Sequence, residues 1–207
     1  MTHDDDILHA ELLCARLCHD MAGAVGAAAA GAELLEDGFD AETVQLVAAS
    51  AASAVARLKF FRAALGPAGS DQPADAVQDL TAAYLRATEA GAAGRLSLRW
   101  SCGRPRLAGD VARLVLNLIL VARDSLPHGG EIVVEVTPVA PPGAAGLAVA
   151  FLGKGARLGD ESEAALLAGA DPAGPRAAQA WFTRRLAEKI GVTLRFESRD
   201  DGGRIVA

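Results

Sequence analysis

Apolar and small residues recur at alternating intervals of three and four along the start of this chain, at Ile7, Ala10, Cys14, Leu17, Met21, Ala24, Ala28, Gly31 and Leu35. That spacing draws one seam along a single long helix, from about Ile7 to Glu36. Asp4 to Asp6 put negative charge where the helix starts, complementing its dipole. Asp37-Gly38-Phe39-Asp40 reads as a stop and a restart, with Asp40 as the next N-cap. A second seam follows at Val44, Val47, Ala51, Ala54, Leu58, Phe61 and Leu65, and Gly66-Pro67 ends it. The chain therefore opens as a helical hairpin. Its first helix carries a further stripe at Ala15, Cys18, Ala22, Val25, Ala29 and Ala32, an apolar arc too wide for a lone hairpin to bury. A two-fold dimer closing a four-helix bundle is the simplest arrangement that covers it.

His19-Asp20 stands out from this pattern. A helix advances about 100° per residue, which puts His19 roughly 180° from the centre of the seam. An outward imidazole beside a carboxylate is what phosphoryl transfer through a histidine needs, although the same placement suits a surface histidine with no task. Asp20 either orients the ring and holds its tautomer or merely solvates the face. Gly23, Gly26 and Ala30 lie four, seven and eleven residues beyond His19, on the same face. Glycine inside a helix costs about 1 kcal/mol relative to alanine. The two glycines therefore suggest that another protein's backbone comes close there, or that helices pack tightly. Arg16, three residues before His19, falls near this face, where it could balance charge on a phosphorylated ring.

Composition bounds the function classes. The chain has 207 residues, a net charge of -6 and no basic run, which argues against a nucleic-acid partner. Three cysteines and four histidines make no ligand set for a metal. Cys14 and Cys18, one turn apart among apolar neighbours, are expected to be buried free thiols. The opening Met1-Thr2-His3-Asp4-Asp5-Asp6 has no secretory character, and no apolar run reaches the roughly 18 residues of a bilayer span. A soluble, cytoplasmic protein with no membrane partner is expected.

Gly66 to Asp75 is rich in Gly, Pro, Ser and Asp and reads as a linker. It separates a hairpin over residues 1–68 from a second unit over 72–207. That unit is expected to hold helices over 76–90, 107–123 and 177–190, with strands over 96–100, 131–136, 147–151 and 193–197. One helical layer over a mixed sheet fits this order, so the fold class is α + α/β. His128, in Pro127-His128-Gly129-Gly130, sits in a turn.

The second unit carries a family resemblance. Arg113-Leu114-Val115-Leu116-Asn117-Leu118-Ile119-Leu120-Val121, followed by Pro127-His128-Gly129-Gly130-Glu131-Ile132, resembles the N-box of histidine-kinase ATP-binding domains. There, two asparagines four residues apart hold Mg-ATP. Asn117 matches the first, but Val121 stands at the second and cannot coordinate Mg²⁺. Phe151-Leu152-Gly153-Lys154-Gly155 keeps Gly153 and Gly155 of the Asp-x-Gly-x-Gly element, while Phe151 replaces its adenine-binding aspartate. Gly174 resembles a remnant of the later glycine box, the Gly-rich phosphate loop is missing, and the tail from Arg185 to Gly203 resembles the closing helix and strand.

Together with the stretch Leu13 to Glu36, which holds His19, these features are similar to the ChpT-type histidine phosphotransferases. The resemblance implies a dimeric four-helix bundle followed by a degenerate, ATPase-like α/β sandwich that binds no ATP and no metal. It implies a relay in which a receiver-domain aspartate of a hybrid histidine kinase passes phosphate to His19, and from there to response-regulator receivers. Arg16, Asp20, Gly23 and Gly26 would support or contact the receiver, and Mg²⁺ would sit on the receiver. An ATP-dependent kinase core and a non-catalytic dimeric adaptor are the alternatives. The proline that usually follows a kinase's histidine is absent from Met21-Ala22-Gly23-Ala24-Val25.

Overall fold

The structure is a computed structural model, and it describes residues 3–38, 40–89, 94–138 and 146–207. The side chains of Asp4 and Asp5, expected to charge the first helix's start, and Ala90, expected to end the third helix, lie outside the described residues. The elements run α1 (His3–Asp37), α2 (Ala41–Leu65), β1 (Gln72–Pro73), α3 (Ala74–Glu89), β2 (Leu96–Cys102), β3 (Arg106–Leu107) and α4 (Gly109–Asp124). They continue with β4 (Gly130–Val136), β5 (Leu147–Leu152), α5 (Asp160–Glu163) with a π-helical turn over Ala164–Ala168, α6 (Pro175–Lys189), β6 (Arg195–Arg199) and β7 (Gly202–Val206).

α1 and α2 form the expected hairpin. The Asp40 carboxylate accepts from the Glu42 and Thr43 backbone N–H groups at 3.3 and 3.0 Å, which satisfies donors that the first turn of α2 leaves unpaired. A Cβ at Gly31 would lie 2.7 Å from a Val47 methyl, so the glycine sets how closely the two helices approach. Ala24 and Gly31, both seam residues, are buried, but nearer the N-terminus the buried positions become His9 and Arg16. There α1 lies against α6 as well as α2, and His9 packs on Trp181 with ring centroids 4.0 Å apart. The inward face of α1 is therefore turned away from Ile7 and Cys14. Cys14 and Cys18 are both exposed in the single chain, contrary to the buried thiols expected from their neighbours. The whole second stripe, from Ala15 to Ala32, is exposed too.

Five strands form a mixed sheet in the order β2-β4-β5-β7-β6, parallel between β2 and β4 and antiparallel elsewhere. Ile132, Val134, Val149, Phe151 and Ile205 share one face and are fully buried in a core with α4 and α6. The opposite face carries charge, with Arg99 paired to Glu131 at 2.5 Å and Arg204 to Glu135 at 2.9 Å. This is the expected single helical layer. The interior strand β7, between β5 and β6, has no counterpart in the sequence reading. Its run Gly202-Gly203-Arg204-Ile205-Val206 hides the apolar alternation behind two glycines. α4 begins two residues later than expected because Arg106 and Leu107 pair with β1 instead.

The end of α2 fastens the hairpin to this layer. Phe60, Phe61 and Ala64 are buried. Phe60 stacks on Tyr84 at 4.0 Å, and Phe61 meets the same ring edge-on at 5.7 Å. Aromatic pairs of this kind add about 0.5–1.5 kcal/mol beyond the area they bury. Arg57 donates to the Ala87 carbonyl at 2.7 Å and to the Asp20 carbonyl at 2.6 Å, linking α2 to α3 and to α1 beside His19. By length and composition α2 would also suit a bilayer span, with mean hydropathy 1.3 over an 18-residue window, contrary to the expectation that no such run exists. Its apolar residues are split between these contacts and exposed positions on different sides of the helix, among them Leu46, Val55 and Leu58.

Candidate functional site

His19 projects from the middle of α1 with 88% of its side chain exposed. Its Nδ1 lies 3.2 Å from an oxygen of Asp20. Adjacent helical residues diverge by about 100° at the backbone, yet the Asp20 carboxylate folds back beside the ring and is only 13% exposed. It lies against the ring rather than on the outer face. The second Asp20 oxygen lies 3.3 Å from Nε of Arg16, one turn earlier.

Arg16 departs from expectation. Instead of lying on the outward face with His19, it is 4% exposed and gives its two terminal nitrogens to Asp124 at the end of α4, one of them at 3.0 Å. The fork of a guanidinium matches a carboxylate in this way. Burial works against the Arg16 charge, but Asp124, by charge and hydrogen bonding, and then Asp20 outweigh it and raise the pKa. Arg16 therefore spends its guanidinium on internal partners, Asp124 and Asp20, one turn from His19. Arg123 also touches Asp124, at 3.2 Å. Its charge is opposed by burial and favoured by Tyr84 and Asp124, with a net upward shift.

A cleft of about 530 Å³ opens at this point, lined by His19, Asp20, Arg123, Asp124, Glu161 and Arg176 among others. One wall is α1; the other comes from α4, α5 and the N-terminal turn of α6. Sequence reasoning missed Arg123, Asp124, Glu161 and Arg176, since nothing local ties the ends of α4 and α6 to a histidine a hundred residues away. Gly23 and Gly26 stand open, with nothing within 4 Å of where a Cβ would sit. His128 lies exposed in its turn.

The residues matched to a nucleotide site are occupied otherwise. Asn117 is fully buried and donates to the carbonyls of Ala64, at 2.7 Å, and Arg113, at 2.8 Å, while its oxygen accepts from Gln179 at 2.8 Å. Phe151 is fully buried and its ring lies parallel to that of Phe196, 6.2 Å away. Val121 and Gly155 border a pocket of about 230 Å³, below the roughly 300–1,000 Å³ of ordinary small-molecule sites. Gly153 packs its backbone against Gly129 and Gly130. Among the described residues, no group of three or more His, Cys, Asp or Glu side chains is placed to hold a metal ion.

Residues 79–202 match the histidine phosphotransferase C-terminal domain family. The chain belongs to the histidine phosphotransferase family. The match spans α3 to β7 and stops short of α1, so the family assignment and the geometry around His19 are independent observations. The chain is 38% identical over 126 residues to the protein phosphotransferase ChpT of Brucella abortus (strain 2308). That stretch is 60% of this chain and 59% of the relative. A solved structure described as a bacterial phosphotransferase superposes with a TM-score of 0.78 at 26% identity, covering 99% of this chain and 96% of the other.

Proposed function

We propose that the chain relays a phosphoryl group from the receiver-domain aspartate of a hybrid histidine kinase to the aspartates of response-regulator receivers, by way of phospho-His19. The observation that carries this reading is the exposed imidazole, held at Nδ1 by Asp20, at the mouth of a cleft whose other wall is the α/β unit. A receiver seated there would place its phosphoaspartate, with the receiver's own Mg²⁺, in line with Nε2. The Nε2 lone pair forms the P–N bond as the P–O bond to the aspartate breaks, and the aspartate leaves as a carboxylate. The ring keeps its proton on Nδ1, and the positive charge it gains faces Asp20. Transfer of this kind is mostly positioning and charge neutralisation, so the chain needs few groups of its own.

Arg123 and Arg176, on the far wall of the cleft, supply positive charge toward an acidic receiver surface. Open Gly23 and Gly26 let a partner backbone approach below the histidine. The exposed stripe of α1 and the exposed i,i+3 pair Val55 and Leu58 of α2 are the faces that two copies would bury as a four-helix bundle. The α/β unit serves as a degenerate, ATPase-like docking wall: Asn117 is committed to internal bonds, and Val121 and Phe151 offer neither metal nor adenine a polar contact. The protein acts in the cytoplasm, without ATP or a metal of its own and without a nucleic-acid or membrane partner.

Mixing a phosphorylated receiver with the wild type and with His19→Ala tests the reading. Acid-labile label on the wild type, absent from the variant and passed to a second receiver, is the expected result. Label arriving on His19 from ATP alone would instead make the chain a kinase core, and transfer unaffected by His19→Ala would leave the histidine incidental.

A further inference from the structure

The contacts around His19 continue inward as a chain of alternating charge. His19 Nδ1 meets Asp20, Asp20 meets Arg16 Nε at 3.3 Å, and Arg16 forks onto Asp124. The middle link is unlike the outer two. Arg16 Nε and the facing Asp20 oxygen are both buried, and neither makes an aligned hydrogen bond with any described partner. Each therefore has spare bonding capacity turned toward the other. What keeps Arg16 from closing on Asp20 with its full fork is Asp124, which takes both terminal nitrogens. A guanidinium without that partner would take Asp20 bidentately, as an i,i+4 Arg–Asp pair readily does, and draw the carboxylate off the imidazole.

We infer that Asp124, at the end of α4, is a positioning residue for His19: by occupying the Arg16 guanidinium it leaves one Asp20 oxygen to hold the imidazole Nδ1–H. The α/β unit thereby sets which ring nitrogen of the phosphoacceptor is bare. A ring with its proton on Nδ1 has its Nε2 lone pair available; a ring with its proton on Nε2 does not. This deepens the phosphotransfer reading and rests on it for its consequence, but not for its measurement.

The tautomer of His19 is read directly from its two ring nitrogens by ¹⁵N NMR of the full chain at about pH 8.5, well above the ordinary histidine pKa of about 6.5. The wild type shows the proton mainly on Nδ1. Asp124→Asn, which keeps the size but not the charge, lowers the Nδ1–H to Nε2–H ratio about tenfold or more, the scale of losing one hydrogen bond to a charged group. Asp124→Glu restores it. Arg16→Lys, whose single ammonium cannot serve two carboxylates at once, shifts the ratio in the same direction and stands in if Asp124→Asn does not fold, as judged from its amide spectrum. An unchanged tautomer in a folded Asp124→Asn or Arg16→Lys protein overturns the inference. A shifted tautomer with slowed transfer from a phosphorylated receiver supports both readings. A shifted tautomer in a chain whose wild type accepts no phosphate supports the link to Asp124 and removes the relay.

Discussion

The Asn117 side-chain amide donates to the Ala64 backbone carbonyl at 2.7 Å, joining α4 to the end of α2 across the boundary between hairpin and sheet. The residue that resembles a magnesium-binding asparagine is thus used as a brace. It is fully buried and also accepts from Gln179, so removing it strips one hydrogen bond each from the Ala64 carbonyl, which keeps Arg113 Nε at 3.2 Å, and from the Gln179 amide, which keeps the Thr183 hydroxyl at 3.4 Å. Asn117→Ala is expected to lower the stability by about 1–3 kcal/mol, from two buried inter-element hydrogen bonds lost at about 0.5–1.5 kcal/mol each. Urea unfolding checks this. Faster amide exchange at the end of α2 than in β5 would locate the loss at the joint.

Nucleotide addition gives a second expectation. A ligand at 100 times its Kd would add about 2.7 kcal/mol and raise the Tm visibly. With Asn117 internally bonded and Phe151 filling its place in the core, Mg-ATP at millimolar concentration leaves the Tm unchanged in a thermal shift measurement.

Phe151 and Phe196 meet across the inner face of the sheet only because residue 203 has no side chain. A Cβ there would lie 2.3 Å from one Phe196 ring atom, 2.5 Å from another and 3.0 Å from Phe151. Gly203→Ala must displace a ring within a filled core, at a cost of about 1–3 kcal/mol. Chemical denaturation measures it. Combining it with Phe196→Leu, which removes the opposed ring, should recover part of the loss.

Acid should loosen the start of α2. The Thr43 N–H, then the Thr43 hydroxyl and the Glu42 N–H, hold the Asp40 carboxyl below its ordinary value of 3.8. A carboxyl whose folded pKa is depressed contributes stability that is present above its unfolded value and is lost as pH falls through the folded one. Asp40→Asn, which caps without ionising, should lie below the wild type in Tm at neutral pH. The gap should narrow as pH drops under about 4.

Self-association is expected to depend on the uncovered hairpin face. Leu58, 55% exposed in the single chain, is on the face that the proposed four-helix bundle would cover. Leu58→Glu should leave the far-UV spectrum intact while shifting the mass in light scattering from dimer to monomer. A wild type that stays monomeric at high micromolar concentration would remove the four-helix bundle.

Local signals carried the helices well. The 3,4 spacing, the Asp40 cap and Gly66-Pro67 were enough to outline α1 and α2, because each records a backbone rule that acts within a few residues. The alternation in β4 and β5 was equally plain. β7 was not, since the two glycines that make room for the Phe196 ring and the neighbouring strand erase its pattern.

At the site, His19-Asp20 and its outward placement could be read from helical geometry alone. Arg16 could not be placed the same way. Position on one helix says which face a side chain shares, whereas burial depends on what packs there, and α6 with the end of α4 covers the side that spacing left open to solvent. The sequence by itself determined two seamed helices, an outward imidazole with its acidic neighbour, and a sheet unit with Val121 and Phe151 at the positions matched to a nucleotide site. Tertiary structure alone decided that Arg16 belongs to Asp124 and that Asn117 braces the hairpin. It also brought Arg123 and Arg176 to face His19, because a charge finds its partner by distance in space, and that distance is set by how the layers dock.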